Sequence, residues 1–251
     1  KGGDIRPTPA GQFLIDRARQ LILEARAVQR DLLLYQRGEV GELSFGVGPF
    51  PSATLARSVI EKIRVQYPKV ALQTEIASPA ELLTMLTREE IEFFVADTGD
   101  MVTLPFLHIE PLMRQYGHLY ARYDHPLAHK AHTFEDAWTY GIASVKLPDP
   151  LKAGLGQLLQ QSKRNLPQLA LECDDVHLLH QLALNTDTVV ASTDIAAKPW
   201  LRQKQLVQLN TTDFPRLFSN ISIVNLSNRA LSPVADFAIE QFRQTAKQSF
   251  D

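Results

Sequence analysis

The sequence predicts an α/β protein: one long N-terminal helix followed by two small Rossmann-like subdomains. Three observations lead there. Apolar residues near the start recur at alternating spacings of four and three, the period of a coiled-coil seam. From residue 42 onward, short strand-like runs alternate with helix-like ones, the rhythm of mostly parallel sheets. The chain is 251 residues long and 45% hydrophobic. That length suits two small sheets better than one and supports a core without disulfide or metal staples.

The long helix starts at Thr8-Pro9, a hydroxyl cap followed by a residue that needs no amide partner. Its seam is Leu14, Ala18, Leu21, Ala25, Val28, Leu32 and Tyr35, and Gly38 and Gly41 end it. A stripe this narrow cannot bury itself, and a second copy of the chain is the economical partner.

The first strand is Leu43–Val47. Ser52 is placed to cap a helix carrying Leu55, Ile60 and Ile63, which Tyr67-Pro68 stops. A strand at Ala71–Ile76 leads to the capping box Ser78-Pro79-Ala80-Glu81 and a helix with Leu82, Leu83 and Leu86. Strands follow at Phe93–Ala96, Leu107–Met113 and His118–Arg122. Thr133-Phe134-Glu135-Asp136 starts a helix, Tyr140–Ala143 is a strand, and Asp149-Pro150 opens a helix through Leu158. Ala170–Glu172 is a strand, and Asp175 leads a helix with Leu178, Leu179 and Leu182. Thr188–Ala191 is a strand, Ser192 starts a short helix, and Ile221–Val224 precedes the last helix at Ser232-Pro233.

Composition excludes several functions. A formal charge of −2 lacks the excess of a strongly basic nucleic-acid binder. A single cysteine, Cys173, cannot form an internal disulfide and fits a reducing compartment. No apolar run is long enough to span a bilayer as a helix. Lys1-Gly2-Gly3-Asp4 is neither a signal peptide nor an initiator, so a preceding segment is expected.

Catalytic signatures are absent. Gly46-Val47-Gly48 is half of a dinucleotide fingerprint, but Pro49-Phe50-Pro51 follows and the third glycine is missing. His125, His129 and His132 sit in a polar stretch read as a solvated turn. Cys173, His177 and His180 lack a completing ligand, and Cys173 reads as a small hydrophobe. No catalytic residue, metal site or cofactor is assigned. What stands out is hydroxyl residues after strands: Ser52, Ser78, Ser144 and Ser192, with Lys146 beside Ser144. Strand C-termini and helix N-termini in open parallel sheets collect ligands, anions in particular.

Taken in order, these landmarks resemble a LysR-type transcriptional regulator. Arg6-Pro7-Thr8-Pro9-Ala10-Gly11 resembles the junction between a winged helix-turn-helix domain and the linker helix. Gly41-Glu42-Leu43-Ser44-Phe45-Gly46-Val47 resembles the first regulatory strand, and Asp97 falls at the family's strand end. Asp124-His125-Pro126-Leu127-Ala128 resembles a family turn.

The resemblance implies the type II periplasmic-binding-protein fold. Residues 1–8 would be the tail of the DNA-binding domain and 9–41 the dimerisation helix. Residues 42–115 and 217–251 would form regulatory subdomain I, and 116–216 subdomain II. The chain would cross near Arg114–Gly117 and return near Phe214–Phe218. A small-molecule effector, such as a carboxylate, would bind between the subdomains near Ser52, Ser78, Thr98, Ser144, Lys146 and Asp175. Arg6 would touch promoter DNA, read mainly by helices preceding Lys1. The assembly would be a cytoplasmic homodimer or homotetramer away from membranes. The rival readings are a periplasmic-type solute-binding protein, which leaves the heptad helix unexplained, and an enzyme, which needs a convergent catalytic set.

Overall fold

A computed structural model describes residues 7–37, 41–102, 104–159 and 168–249. Helix α1 (Pro9–Arg37) begins as expected, with the Gly11 amide donating to Thr8 Oγ1 at 3.1 Å. Its seam is uncovered by the chain's own body: Leu14, Leu21 and Val28 are about two-thirds exposed and Leu32 is 54% exposed. Ala18 and Ala25 are exposed too. Arg6, Gly38 and the Tyr35 side chain lie outside the described residues.

The first subdomain is built on the parallel strands β1 (Glu42–Val47), β2 (Ala71–Ile76) and β3 (Phe93–Asp97), in the order β2-β1-β3. Between β1 and β2 run α2 (Pro49–Pro51), a π-helical turn (Ser52–Ala56) and α3 (Arg57–Gln66); α4 (Pro79–Thr87) joins β2 to β3. Alternation divides the strands between two cores. Leu43, Phe45, Val47 and Phe93 pack with Val59 and Ile63 of α3. Phe45 and Phe93 stack at 5.3 Å, and Phe242 meets both edge-on. On the other face Phe94 and Ala96 pack on Leu82 and Leu86 of α4. Gly46 permits that approach, because a Cβ there would lie 2.5 Å from Leu82 Cδ2.

Strand β4 (Leu107–Arg122) leaves the first subdomain and enters the second. There follow β5 (Ala131–His132), α5 (Phe134–Trp138), β6 (Ile142–Ser144), α6 (Asp149–Leu158), β7 (Leu171–Glu172), α7 (Val176–Asn185) and β8 (Val189–Thr193). Then come α8 (Asp194–Arg202), β9 (Leu206–Gln208), β10 (Asn210–Thr211), β11 (Leu217–Leu226) and α9 (Pro233–Gln248). Strands β8-β6-β7 are parallel, and β4 runs antiparallel beside β8 and β9. The returning β11 lies antiparallel between β3 and β4. Among the described residues the crossing strands thus join both groups into one continuous nine-stranded sheet, rather than the two small sheets expected, and only pairs that include β4 or β11 are antiparallel.

The structure corrects the sequence reading in four further places. The two strands expected at Leu107–Met113 and His118–Arg122 are one 16-residue strand, because β11 pairs with its first part and β8 and β9 with its last. A register shift opposite Ile221/Ser222 accommodates Pro111, which has no amide for the ladder. Ser52 is not a helix cap: the helix begins at Pro49 with Gly48 as its N-cap, and Ser52 Oγ donates back to the Pro49 carbonyl at 2.8 Å. Ser192 does not start α8; Thr193 does, accepting from the Ala196 amide. Finally, the histidine stretch is not a solvated turn, since His125 and His132 are buried. His125 Nδ1 accepts from the Leu127 amide, leaving Nε2–H to donate to the Asp187 carbonyl at 3.0 Å. Cys173 is half-buried.

Charged contacts tie the last helix down. Arg243 of α9 grips Glu110 of β4 with two bonds of 2.8 Å, and that guanidinium holds the Glu110 carboxyl below the usual range. The buried Glu92 carboxylate accepts from the Ser232 amide and hydroxyl at the start of α9.

Burial of His180 makes stability pH-dependent. Its ring is 2% exposed, bonds Ser192 Oγ at 2.9 Å, and burial pushes its pKa down to about 4 from 6.5. Above the unfolded value both states are neutral. Below it the unfolded chain takes up the proton first, so stability falls from pH 6.5 to about 4. Urea unfolding should show His180→Gln losing less stability than the unmutated chain over that window, by up to about 3 kcal/mol. Equal losses would contradict this account.

Candidate functional site

Between the subdomains the sequence places strand ends from both sides: Val47, Ile76 and Asp97 from the first, Ser144, Glu172 and Thr193 from the second. Two apolar side chains cross the gap in opposite directions. Phe50 packs against the core of the second subdomain, and Ile195 packs against that of the first.

A polar bridge lies beside them. Gln115 of β4 is fully buried. Its Nε2 donates to Thr54 Oγ1 at 3.2 Å, and its Oε1 accepts from Thr193 Oγ1 at 2.9 Å. One amide thus joins a helix of each subdomain at the crossing strand. Asp194 Oδ1 accepts from the Tyr116 amide at 3.0 Å and adds a second link to that strand.

The sequence-predicted ligand residues fall into different situations. Ser78 Oγ donates to Glu81 Oε2 at 2.7 Å and accepts from the Glu81 amide, completing the expected capping box. Thr98 Oγ1 lies 2.8 Å from Ser222 Oγ and 3.2 Å from the Asn220 carbonyl, so it serves the β3–β11 junction. Asp175 caps α7 by accepting from the Leu178 amide. Ser144 is buried at the end of β6. With Ser52 bonded to Pro49, four of the six have hydrogen-bond partners within the protein, three of them within three residues and Thr98 across the β3–β11 pair.

Lys146 alone of the six lines the cavity between the subdomains, a space of about 510 Å³. Ile76, Ala77 and Met85 supply its apolar wall, and Glu81, Thr84 and Glu90 its polar wall from the first subdomain. Lys146 and Asp174 face them from the second. Lys146 Nζ lies 3.4 Å from Asp174 Oδ2, and the Lys146 amide donates to Asp174 Oδ1 at 3.1 Å. The bonds from Ser78 hold the Glu81 carboxyl below the usual range, aided by the charge of Lys146 across the gap.

Sequence reasoning missed Gln115, Glu81 and Asp174 as cleft residues. Glu81 was visible only as a capping partner, and Asp174 was overshadowed by the capping Asp175. Gln115 carried a usable signal, an uncharged polar residue within the expected crossing Arg114–Gly117. Among the described residues no group of three metal-ligating side chains converges.

The bridge predicts that Gln115→Leu strands the Thr54 and Thr193 hydroxyls on that side and costs about 1–3 kcal/mol in urea unfolding. A change within about 0.5 kcal/mol would show that the bridge is not a structural link.

Residues 36–250 match the family model of the LysR substrate binding domain. The chain is 29% identical over 236 residues to the SDS degradation transcriptional activation protein of Pseudomonas sp. (strain ATCC 19151), covering 91% of this chain and 75% of that protein. It is 24% identical over 194 residues to the HTH-type transcriptional regulator TdcA of Escherichia coli (strain K12). That match covers 74% of this chain and 59% of TdcA, less than two-thirds of its length. These relatives are regulators of transcription, not enzymes. Among solved structures, HinK, a LysR family regulator from Pseudomonas aeruginosa, superposes with a TM-score of 0.60 at 16% identity, covering 96% of this chain and 83% of HinK. The effector binding domain of QuiR in complex with shikimate gives 0.59 at 14% identity, covering 84% and 99%. Parallel strands in two groups joined by antiparallel crossing strands, with a cavity between the groups, are thus found with the sequence pattern of one family: the chain belongs to the LysR family of transcriptional regulators and carries its substrate-binding domain.

Proposed function

We propose that this chain is the sensing and assembly region of its regulator, and that a small molecule bound between its subdomains changes how they sit. Residues 42–115 and 217–251 would make one subdomain and 116–216 the other. The observation that carries this reading is the cavity walled by Glu81 from one side and Lys146 from the other. A ligand touching both walls favours one spacing of them, and differential affinity is what shifts such an equilibrium.

The lining narrows the expected carboxylate. Glu81, Glu90 and Asp174 outnumber Lys146, so a plain anion meets net repulsion. An amino-bearing carboxylate balances the site: its carboxylate replaces Asp174 at Lys146, and its ammonium faces Glu81 and Glu90. A free amino acid is the simplest such molecule, and the apolar wall of Ile76, Ala77 and Met85 would take its side chain.

The exposed seam of α1 supports assembly into a homodimer or homotetramer through paired helices. Promoter DNA would be bound by a winged helix-turn-helix domain preceding Lys1, with Arg6 near the phosphates. The reading places the protein in the cytoplasm; among the described residues no helix is long and apolar enough to cross a membrane. A solute-binding protein for transport gives no use for the α1 seam.

Two measurements test this reading. In thermal melts against free amino acids and matched simple carboxylates, an amino acid should raise Tm, by the equivalent of about 2.7 kcal/mol at one hundred times its Kd. Lys146→Met should abolish the shift; larger shifts with simple carboxylates would overturn the proposed class. In sedimentation, Leu21→Asp should shift the chain toward monomer, and an unchanged assembly would remove α1 from the interface.

A further inference from the structure

We propose that the second subdomain carries a separate small-molecule site that takes a monocarboxylate with an apolar body. The site lies where the sheet opens. Along β4, the last pair with β11 is Gly117 with Leu217, and the first pair with β9 is Tyr120 with Gln208. Between them the Leu209 amide donates to the Leu119 carbonyl at 2.9 Å, and the chain from 209 to 217 swings outward. A cavity of about 560 Å³ fills the opening, within the usual size for a small-molecule pocket.

Its walls are fixed by contacts made elsewhere. Asp213 Oδ1 accepts from the Phe134 amide at 2.6 Å, and the Phe214 and Phe134 rings meet at 5.6 Å. Thr211 Oγ1 lies 3.0 Å from His132 Nε2, and the Thr212 amide donates to the His132 carbonyl at 3.0 Å. The outward loop is therefore anchored without an occupant.

The lining selects the ligand's chemistry. Phe214 and Leu217 give apolar surface over the core leucines Leu119 and Leu209, His118, Gln208 and Thr211 add polar groups, and the exposed Arg216 brings a positive charge. Among the described residues no Asp or Glu lines the cavity, and the nearby Asp213 carboxylate is engaged by the Phe134 amide. Among the described residues no carboxylate pairs with Arg216. This is the reverse of the cavity between the subdomains, where carboxylates outnumber the cation, and the two cavities share no residue. Guanidinium and carboxylate pair through matched parallel bonds, so the charged end belongs at Arg216 and an aromatic or aliphatic body against Phe214 and Leu217.

The site also has a route to the rest of the protein. Tyr116 and Gly117 belong to the outgoing crossing strand, and Arg216 and Leu217 sit at the start of the returning one. An occupant holds both strands at the place where the subdomains are joined.

Benzoate is the probe, with benzylamine as the opposite-charge control at matched ionic strength. Calorimetric titration should show saturable binding of benzoate and none of benzylamine. Arg216→Gln should weaken the benzoate Kd by about tenfold or more, whereas Lys146→Met should leave it within about twofold. Amide chemical shifts should move at residues 208–217, a readout that identifies the site without any substitution. The proposal is overturned by no saturable benzoate binding up to about 50 mM, by equal binding of benzylamine, or by loss with Lys146→Met and retention with Arg216→Gln. Because that last pattern places benzoate in the other cavity, failure here is distinguishable from failure of the proposed amino-acid effector.

Discussion

Everything in this fold depends on one pair of strands. β4 and β11 carry the chain from one group of parallel strands to the other and back, and they hydrogen-bond to each other along the way. Because both covalent links between the two groups run through this pair, any change in how the groups sit must be accommodated there. The same strands are built into both cores: Met113 and Ile221 pack with the first, Leu119 and Tyr120 with the second. Neither strand can leave without opening a core, which makes the joint durable.

The contacts between the groups are suited to a small change in angle. Phe50 and Ile195 each insert into the opposite core, and apolar contacts lack strict direction. Gln115 adds a directional element, since both ends of its amide are satisfied by threonines from opposite sides. A buried amide with partners in one geometry favours that geometry, because leaving either end unpaired carries a desolvation cost. The mouth of the cleft is chemically different. Lys146 is held by Asp174, and Glu81 lines the same cavity from the other subdomain.

Much of the architecture was legible in the sequence because it rests on local patterns. The Ser78 and Thr133 capping boxes, the Asp175 cap and the proline-led start of α9 occur as the residues alone indicate. The α1 seam was readable for the same reason. What was not legible depends on long-range pairing. Joining Leu107–Met113 to His118–Arg122 requires knowing that β11 lies alongside, and nothing local to Arg114–Gly117 says so. The ligand residues were the least legible. A hydroxyl after a strand looks the same whether it faces a ligand or closes a bond within the protein: Ser52 and Ser78 bond within their own turns, and Thr98 bonds across to β11. The sequence singled out Lys146 only as an anion partner near Ser144, and in the structure it lines the cavity between the subdomains. Asp174 and Glu81 became recognisable only when the two subdomains brought them opposite it.

On the reading proposed above, a molecule in the cleft changes how the two subdomains sit about the crossing strands. Spin labels at Thr87→Cys, at the end of α4, and Asn185→Cys, at the end of α7, report that movement in a Cys173→Ser background. Their distance distribution would be measured with and without the amino acid that most raises Tm. With ligand the distribution should shift and narrow, and replacing Lys146 by methionine should reverse the change. A ligand that raises Tm yet leaves the distribution unchanged would contradict that reading.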